Sequence, residues 1–120
     1  MAFREARKGR ADAVLVLASP IIESHRTQVA DLAIKNRLPT MFWASEHVEV
    51  GGLMSYGTNV THLYRRAATF VDKILKGRKP NDLPVEQPMK FEFLVNLNAA
   101  KQIGLTIPPN VLVRADKVIR

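Results

Sequence analysis

The alternation of apolar and polar positions divides the chain into short elements of two kinds. Residues 2–8 have the pattern of a helix that ends at Gly9, and in residues 12–18 an aspartate is followed by an unbroken apolar run over residues 13–18. Such a run is typical of a strand covered on both faces in a parallel sheet. Residues 24–36 carry apolar positions at helical spacing, and residues 40–44, a threonine followed by four apolar residues, have the pattern of the next strand. This order predicts a βαβ unit with adjacent parallel strands and a right-handed crossover.

The clearest amphipathic helix follows a third short strand at residues 53–56. Apolar side chains then recur at helical spacing as far as Gly77. Asn59 or Thr58 is expected to cap the start of this helix, and Gly77 with Pro80 to end it. The apolar positions that define its stripe are Val60, Leu63, Tyr64, Ala67, Val71, Ile74 and Leu75.

The last third of the chain predicts a connector, a fourth strand and short helices. Three prolines make residues 78–88 an extended connector, and residues 90–96 have the apolar content of a strand. A short helix capped by Asn96 or Asn98 should follow and end at Gly104. With a final helical turn, the element order predicts an α/β fold: an open, mostly parallel sheet with helices on its faces.

Two loops of this fold are candidates for ligand contact, because open α/β sheets bind ligands outside the carboxyl ends of their strands. Ser19 and Pro20 follow the first strand, and Ser45 and Glu46 follow the second. Glu46 has the chemistry of an acceptor for a ligand amine, or it is a solvent-exposed glutamate in a turn. Ser19 is alternatively a helix N-cap that precedes Pro20 at the first helical position.

The segment GGLMSYGTN, residues 51–59, concentrates backbone freedom around the third strand. Its glycines, Gly51, Gly52 and Gly57, suit either a tight strand-to-helix turn or a crossing between two lobes around a ligand. The segment lacks the Gly-x-Ser-x-Gly pattern of a hydrolase elbow and the Gly-Lys-Ser/Thr of a phosphate loop. Tyr56 is expected either to pack in the core or to place its ring against a ligand.

Composition narrows the chemistry further. Apolar residues make up 47% of the chain, which is typical of a folded globular domain. Without cysteine it has neither a disulfide nor a thiolate site, and its three histidines are not at metal-ligand spacing. No catalytic, metal or cofactor site is predicted, and we expect a protein that is not an enzyme. The net charge of +7 favours anionic partners, but the basic residues are spread, so solvated surface is expected rather than a nucleic-acid site.

Several motifs occur together in a recognisable order. They are Gly-Gly-Leu-Met-Ser-Tyr-Gly, Tyr-Arg-Arg-Ala-Ala, Leu-Pro-Val-Glu-Gln-Pro and Gly-Leu-Thr-Ile-Pro-Pro. In this order the chain resembles the C-terminal part of bacterial ABC-transporter substrate-binding proteins of the tryptophan/tyrosine-uptake type. The resemblance covers nearly the whole chain. It implies a two-lobed, type I periplasmic-binding-protein architecture with the ligand held between the lobes.

The resemblance also assigns parts of the chain to lobes. Residues 1–57 would belong to the C-terminal lobe and its glycine-rich crossing, with Gly51, Gly52 and Gly57 as the hinge. Residues 58–77 would be a helix of the N-terminal lobe, and residues 78–120 a connector, a strand and C-terminal helices. The chain is expected to form a single compact unit.

The function implied by the resemblance is capture of a small, amino-acid-type ligand for a membrane permease. Ser19, Pro20, Ser45, Glu46 and Tyr56 would contact that ligand. Family members often have Asp-Pro where this chain has Ser-Pro, so one carboxylate is missing. The full-length family is periplasmic or membrane-anchored and extracellular. The first ten residues lack the apolar core of a secretion signal, so this chain as written would be cytoplasmic.

Because the match covers only the last part of the family sequence, a fragment is expected, with two alternative functions. One is a self-associating α/β interaction domain that has lost ligand binding, and the weaker one is a nucleic-acid-binding module. Self-association is expected in any case, most simply as a dimer. The apolar stripe of the long helix would otherwise lack a complete cover.

Overall fold

The computed structural model describes residues 2–120, which contain five strands and seven α-helices. The strands are β1 (Val14–Leu15), β2 (Thr40–Phe42), β3 (Met54–Thr58), β4 (Phe91–Asn96) and β5 (Lys117–Ile119). The helices are α1 (Ala2–Lys8), α2 (Pro20–Ser24), α3 (Arg26–Lys35), α4 (Ser45–Glu49), α5 (Val60–Leu75), α6 (Leu97–Ile103) and α7 (Pro109–Leu112), with a 3-10 turn at Pro80–Asp82.

All five strands form one sheet whose spatial order is the order of the chain. The pairs β1–β2, β2–β3 and β4–β5 are parallel, and only β3–β4 is antiparallel. The predicted α/β class with a mostly parallel sheet is therefore confirmed. The predicted βαβ unit is also confirmed, since β1 and β2 are adjacent and parallel, with Val14 opposite Thr40.

The core lies where β3 and β4 meet α6. Leu53, Val95, Ala99, Ala100 and Ile107 form its buried cluster. Two alanines in a row on α6 let the helix backbone approach the sheet closely, and the larger side chains of the strands fill the remaining space. This cluster packs α6 against β3 and β4.

The prediction that the first strand is covered on both faces is wrong for this chain. Leu15 is 67% exposed and Leu17 is 69% exposed. β1 is the edge strand of the sheet and pairs with β2 alone. Both leucines line an open apolar groove of about 480 Å3 beside α1. A continuous apolar run therefore marked a strand correctly, but the described residues leave one face of that strand open.

Two local predictions also need correction. The helix expected over residues 24–36 is two helices, because the chain breaks at His25, whose N–H donates to the Ile22 carbonyl. Residues 45–49, where Glu46 could have been a glutamate in a turn, form helix α4. Strand β5 was not predicted. Its three residues follow a polar turn and are too few to show an alternating pattern.

The N-caps of α5 and α6 are asparagines that the sequence predicted as caps. The Asn59 side chain accepts a hydrogen bond from the His62 N–H, and the Asn96 side chain accepts one from the Ala99 N–H. Asparagine at an N-cap in this way satisfies one of the free N–H groups at a helix start. Gly104 ends α6 with a left-handed backbone, as predicted, at φ 76°.

Helix α5 stands apart from the buried core. None of its residues is buried, and its stripe includes Tyr64, Val71 and Leu75, all exposed. The described chain measures 56 × 33 × 20 Å, with a radius of gyration of 17.7 Å. A compact domain of this length has a radius of gyration of about 14 Å. The described residues are therefore more extended than a compact domain of this length.

Candidate ligand-binding site

The first two ligand loops lie at the same edge of the sheet. Ser19 and Pro20 follow β1, Ser45 and Glu46 follow β2, and these two strands are parallel neighbours. Parallel strands present their carboxyl ends together, so the structure brings these four residues to one edge. Tyr56 lies on the next strand, β3.

Ser19 occupies the N-cap position of α2 without using its side chain as a cap. Its backbone is extended, at φ −154° and ψ 135°, and Pro20 is the first residue of the helix. The hydroxyl makes no capping hydrogen bond. The N-cap interpretation is therefore right in position, and the hydroxyl remains available for another contact.

Ser45 and Glu46 form the first turn of α4. Both are partly buried, and the Ser45 hydroxyl donates to a Glu46 carboxylate oxygen at 3.4 Å. A carboxylate in the first turn of a helix is favoured by the helix dipole. Glu46 therefore lies in a helical turn, with its carboxylate next to the Ser45 hydroxyl.

Tyr56 is part of an aromatic stack on the antiparallel part of the sheet. Its ring stacks on Phe91 at 5.8 Å between centroids and meets Phe93 edge-on at 6.4 Å. The side chain is 58% exposed. The structure thus pairs Tyr56 with β4, and its contact with a ligand stays a prediction.

The three positions of the expected hinge require glycine for different structural reasons. Gly51 follows α4 with φ 111°, a backbone conformation that favours glycine. Gly57 has no such angle, but a Cβ built on it would lie 1.8 Å from the Trp43 carbonyl oxygen. At Gly52 a Cβ would lie 2.6 Å from the His47 carbonyl oxygen. Close packing therefore accounts for two of them, and their role as a hinge stays a prediction.

A buried polar cluster behind the two loops was not recognised from the sequence. His47 of α4 is fully buried, with its ring stacked on Phe42 at 4.9 Å. Its Nε2 is 3.8 Å from Oε2 of Glu23 on α2. The Trp43 ring meets it edge-on. The sequence showed only that this histidine lies near two acidic residues, and nearness along the chain does not reveal burial.

The environment of His47 lowers its pKa from the ordinary value of 6.5. Burial is the main cause, because the protonated ring loses its hydration. The Glu23 carboxylate and the Ala44 carbonyl offset part of the change. His47 is therefore neutral near pH 7.

An apolar cavity adjoins this edge of the sheet. Its volume is about 340 Å3, and it lies between the ends of β2 and β3 and the start of α5. Trp43 and Tyr64 provide its aromatic walls, and Thr58 its strand end. Trp43 was not among the residues that the sequence predicted to contact a ligand.

Two strands carry the chain to and from α5. β3 and β4 run antiparallel over five residue pairs, from Met54 opposite Val95 to Thr58 opposite Phe91. Beyond them the Asn59 N–H donates to the Lys90 carbonyl at 3.1 Å, and the Asn59 amide donates to Glu92. The outgoing and returning segments are thus hydrogen-bonded side by side.

The mostly parallel sheet and the helices between its strands define an α/β fold. The chain belongs to the ABC transporter substrate binding protein family, whose model matches residues 2–119. No curated protein sequence matches it. Over the described residues, no helix has the length and apolar character needed to cross a membrane, and no three acidic or histidine side chains cluster as metal ligands.

Three solved structures are similar to this chain. A conserved domain protein from Vibrio cholerae O1 biovar El Tor is 27% identical, with a TM-score of 0.88 over 98% of this chain. The ABC domain from Streptococcus pneumonia in complex with L-Trp is 31% identical, with a TM-score of 0.83 over 95%. A ligand-free, open substrate-binding protein with adhesive properties from Clostridium difficile is 24% identical, with a TM-score of 0.65 over 99%.

The chain spans well under half of each of these proteins. It covers 39% of the Vibrio chain, 39% of the Streptococcus chain and 40% of the Clostridium chain.

Proposed function

We propose that this chain supplies one wall of a solute-binding protein that captures a small, amino-acid-type ligand for an ABC permease. The observation that carries the proposal is the meeting of the Ser19–Pro20 and Ser45–Glu46 loops at the carboxyl ends of parallel neighbours. The Glu46 carboxylate and the Ser19 hydroxyl, which makes no capping hydrogen bond, lie at this edge of the sheet and suit a ligand that carries an amine.

The ligand class has two further supports. Glu46 is the acceptor for the amine, and the adjoining apolar cavity, with Trp43 and Tyr64, suits an apolar or aromatic side chain. The Streptococcus relative was solved with L-Trp. We therefore choose L-tryptophan as the first ligand to test.

The division of the chain between lobes is part of the same proposal. Residues 1–57 belong to one lobe, and α5, within residues 58–77, belongs to the other. The paired strands β3 and β4 cross between the lobes. The exposed stripe of α5 supports this division, because a helix without buried residues needs cover from elsewhere. Gly51, Gly52 and Gly57 lie beside the crossing and serve as its hinge.

An incomplete clamp should bind weakly. Binding sites bury most of a small ligand, and one wall leaves a ligand face in water. The test is an NMR titration of the 15N-labelled chain with L-tryptophan at millimolar concentration. We expect small shifts confined to the loop residues 18–20 and 43–46, to Tyr56, and to the cavity residues Thr58 and Tyr64. Shifts centred elsewhere, or none at all, would contradict the site, and micromolar affinity by calorimetry would contradict the incomplete clamp.

The location of the full-length protein follows from its proposed task. A solute-binding protein meets its ligand before the permease does, so the complete protein works in the periplasm or anchored outside the membrane. Its partners are the small-molecule ligand and the permease. Nucleic acid is not a proposed partner, because several basic side chains are already paired with carboxylates, including Arg66 with Glu86, Lys76 with Asp72 and Lys117 with Glu49.

A second function rests on a separate observation. Along α5, Tyr64 is 75% exposed and Leu75 is 82% exposed, and Val71 and Ile74 complete an apolar strip. Exposed apolar patches of several hundred Å2 are rare on soluble monomers. Self-association of this chain through α5 would cover the strip, and light scattering measures it directly.

A further inference from the structure

The segment that precedes β4, residues 84–89, is fastened to α5 by one carboxylate. Every residue of this segment is exposed, and Met89 is 88% exposed, so packing contributes little to its position. Within residues 2–120, the hydrogen bonds that the segment makes are those of Glu86 alone. Pro84 and Pro88 have no N–H to donate. Glu86 therefore fixes where the segment lies against the helix.

The site that receives Glu86 is built from three side chains along one side of α5. Arg66 donates from Nε to one carboxylate oxygen at 2.8 Å and from a terminal nitrogen to the other. The Arg66 guanidinium lies 5.7 Å from the centre of the Phe70 ring, and Lys73 Nζ lies 5.7 Å from the same centre. Two cations thus share one ring, and the carboxylate offsets their repulsion. A two-pronged pair of this kind is stronger and more directional than a single contact between exposed charges.

A second fastening point lies at the start of α5. The Asn59 N–H donates to the Lys90 carbonyl at 3.1 Å, and the Asn59 amide donates to Glu92. The helix rises about 10 Å between Asn59 and Arg66. The four extended residues that lead from Glu86 to Lys90 span at most about 14 Å. The chain between the two points therefore runs along the helix with little slack.

We propose that the two fastenings make α5 and residues 86–92 one rigid arm, in which the pair of Arg66 with Glu86 keeps Tyr64 at the cavity that it shares with Trp43. Tyr64 and Arg66 are two positions apart and project from nearly opposite sides of the helix. The segment covers the side of Arg66, and the cavity of about 340 Å3 lies on the side of Tyr64. Arg66 and Glu86 are positioning residues and do not touch ligand. Their value for ligand binding rests on the proposed function, whereas the rigidity of the arm depends on this chain alone.

The charges around Glu86 keep the pair closed near neutral pH. The hydrogen bond from Arg66 is the main cause that lowers the pKa of Glu86 from its ordinary value of 4.5, and the charges of Arg66 and Lys73 add to it. His62 lines the cavity beside the pair. Glu86 is therefore ionised at pH 7, and the fastening is lost only as the pH falls through the lowered pKa. The test of the arm is accordingly made at pH 7.

Backbone order parameters of the 15N-labelled chain measure the rigidity of the arm. Rigid backbone has values of about 0.85 and flexible backbone has values below about 0.6. In the wild type we expect the amides of residues 85–89 to lie near the rigid value. Glu86→Gln and Arg66→Gln should each lower them below about 0.6. The double variant should lower them no further, because each change removes the same pair. Asp72→Asn, which breaks the pair with Lys76 on the same helix, is the matched control and should leave these amides unchanged.

Trp43 fluorescence reports whether the helix keeps its place. Trp43 is the only tryptophan in the chain, and its cavity opens to water if α5 swings away. The emission maximum of Glu86→Gln should therefore move several nanometres to the red, and that of Asp72→Asn should not move. Both members of the pair are exposed, so their variants should fold.

The outcomes separate the arm from the ligand site. Flexible amides at residues 85–89 in the wild type, unchanged order parameters in Glu86→Gln, or an additive loss in the double variant would overturn the arm. An unmoved Trp43 emission in Glu86→Gln would do the same. Failure of tryptophan to shift the loop resonances would overturn the proposed function and leave these measurements as they are.

Discussion

Gly57 lies so close to Trp43 that a Cβ on the glycine would sit 1.8 Å from the tryptophan's carbonyl oxygen. The contact is between the backbones of β3 and the loop that follows β2, so no side chain can move aside to relieve it. The glycine is therefore required by space at a point where two neighbouring strands end.

Gly57→Ala should destabilise the chain by about 3 kcal/mol, as expected for severe overpacking against backbone. Urea unfolding followed by circular dichroism measures the loss. Gly9→Ala is the matched control, because its Cβ would meet the nearest atom, the Glu5 carbonyl oxygen, at an ordinary 3.4 Å. Equal stability of the two variants would contradict the described approach of β3 to Trp43.

Acid should destabilise the fold through His47. Its pKa in the folded chain is lowered, so the unfolded chain takes up this proton first as the pH falls. Stability should begin to fall near pH 6.5, by up to about 1.4 kcal/mol for each pH unit, and level off below the folded pKa. Unfolding midpoints at pH 7.5, 6.5 and 5.5 test the slope. His47→Gln should flatten it, and a wild-type stability that rises over this interval would contradict the burial of a neutral ring.

Asn96 should matter for stability far more than Asn98. Asn96 is buried, caps α6 through the Ala99 N–H, and directs its amide to the Val48 carbonyl. Asn96→Ala should cost about 2 kcal/mol by removing the cap and leaving buried groups without partners. Asn98 is exposed, and Asn98→Ala should change stability by less than about 0.5 kcal/mol. Thermal unfolding of the two variants gives the comparison.

Self-association should depend on α5. Light scattering at tens of micromolar should give a dimer for the wild type, and the double variant Val71→Glu with Leu75→Glu should be monomeric because it places charge on the exposed strip. Val113→Glu is the control, since Val113 is also highly exposed but lies outside α5. A monomeric wild type would refute the interface, as would a double variant that remains dimeric.

The weak binding of L-tryptophan should depend on the charge of Glu46. Glu46→Gln keeps the size of the side chain and removes its charge, so the loop shifts in the NMR titration should shrink at least several-fold. Glu92→Gln is a suitable control, since Glu92 lies on β4 and contacts Asn59 instead. Equal shifts in wild type and Glu46→Gln would remove Glu46 from the proposed site.

The sequence predicted the elements better than their surroundings. The apolar run at residues 13–18 correctly indicated a strand, because this pattern follows from local chain geometry. It could not indicate that Leu15 lies at an open edge, because exposure depends on which other elements are present. The Asn59 cap and the Gly104 end were predictable for the same local reason. β5 was missed because three residues are too few to show a period.

The candidate site, too, was predictable from the sequence only in part. Topology alone placed Ser19 and Glu46 at one edge, since consecutive parallel strands end together. The burial of His47 and its approach to Glu23 arise from the packing of α4 against the sheet and against α2, which no spacing in the chain encodes. Gly57 was recognised as special, but its close contact with Trp43 is visible only in three dimensions.

The antiparallel pairing of β4 with β3 also governs how quickly the molecule can assemble. β4 pairs with β3 although all of α5 and the connector separate them along the chain. Closing that loop costs entropy before the first pair forms, and such distant pairings slow folding. α5 can form early from local contacts and spans about 24 Å as a rigid rod. The rate of folding should therefore respond to changes in α5, whereas the early βαβ unit of β1, α3 and β2 should form regardless of it.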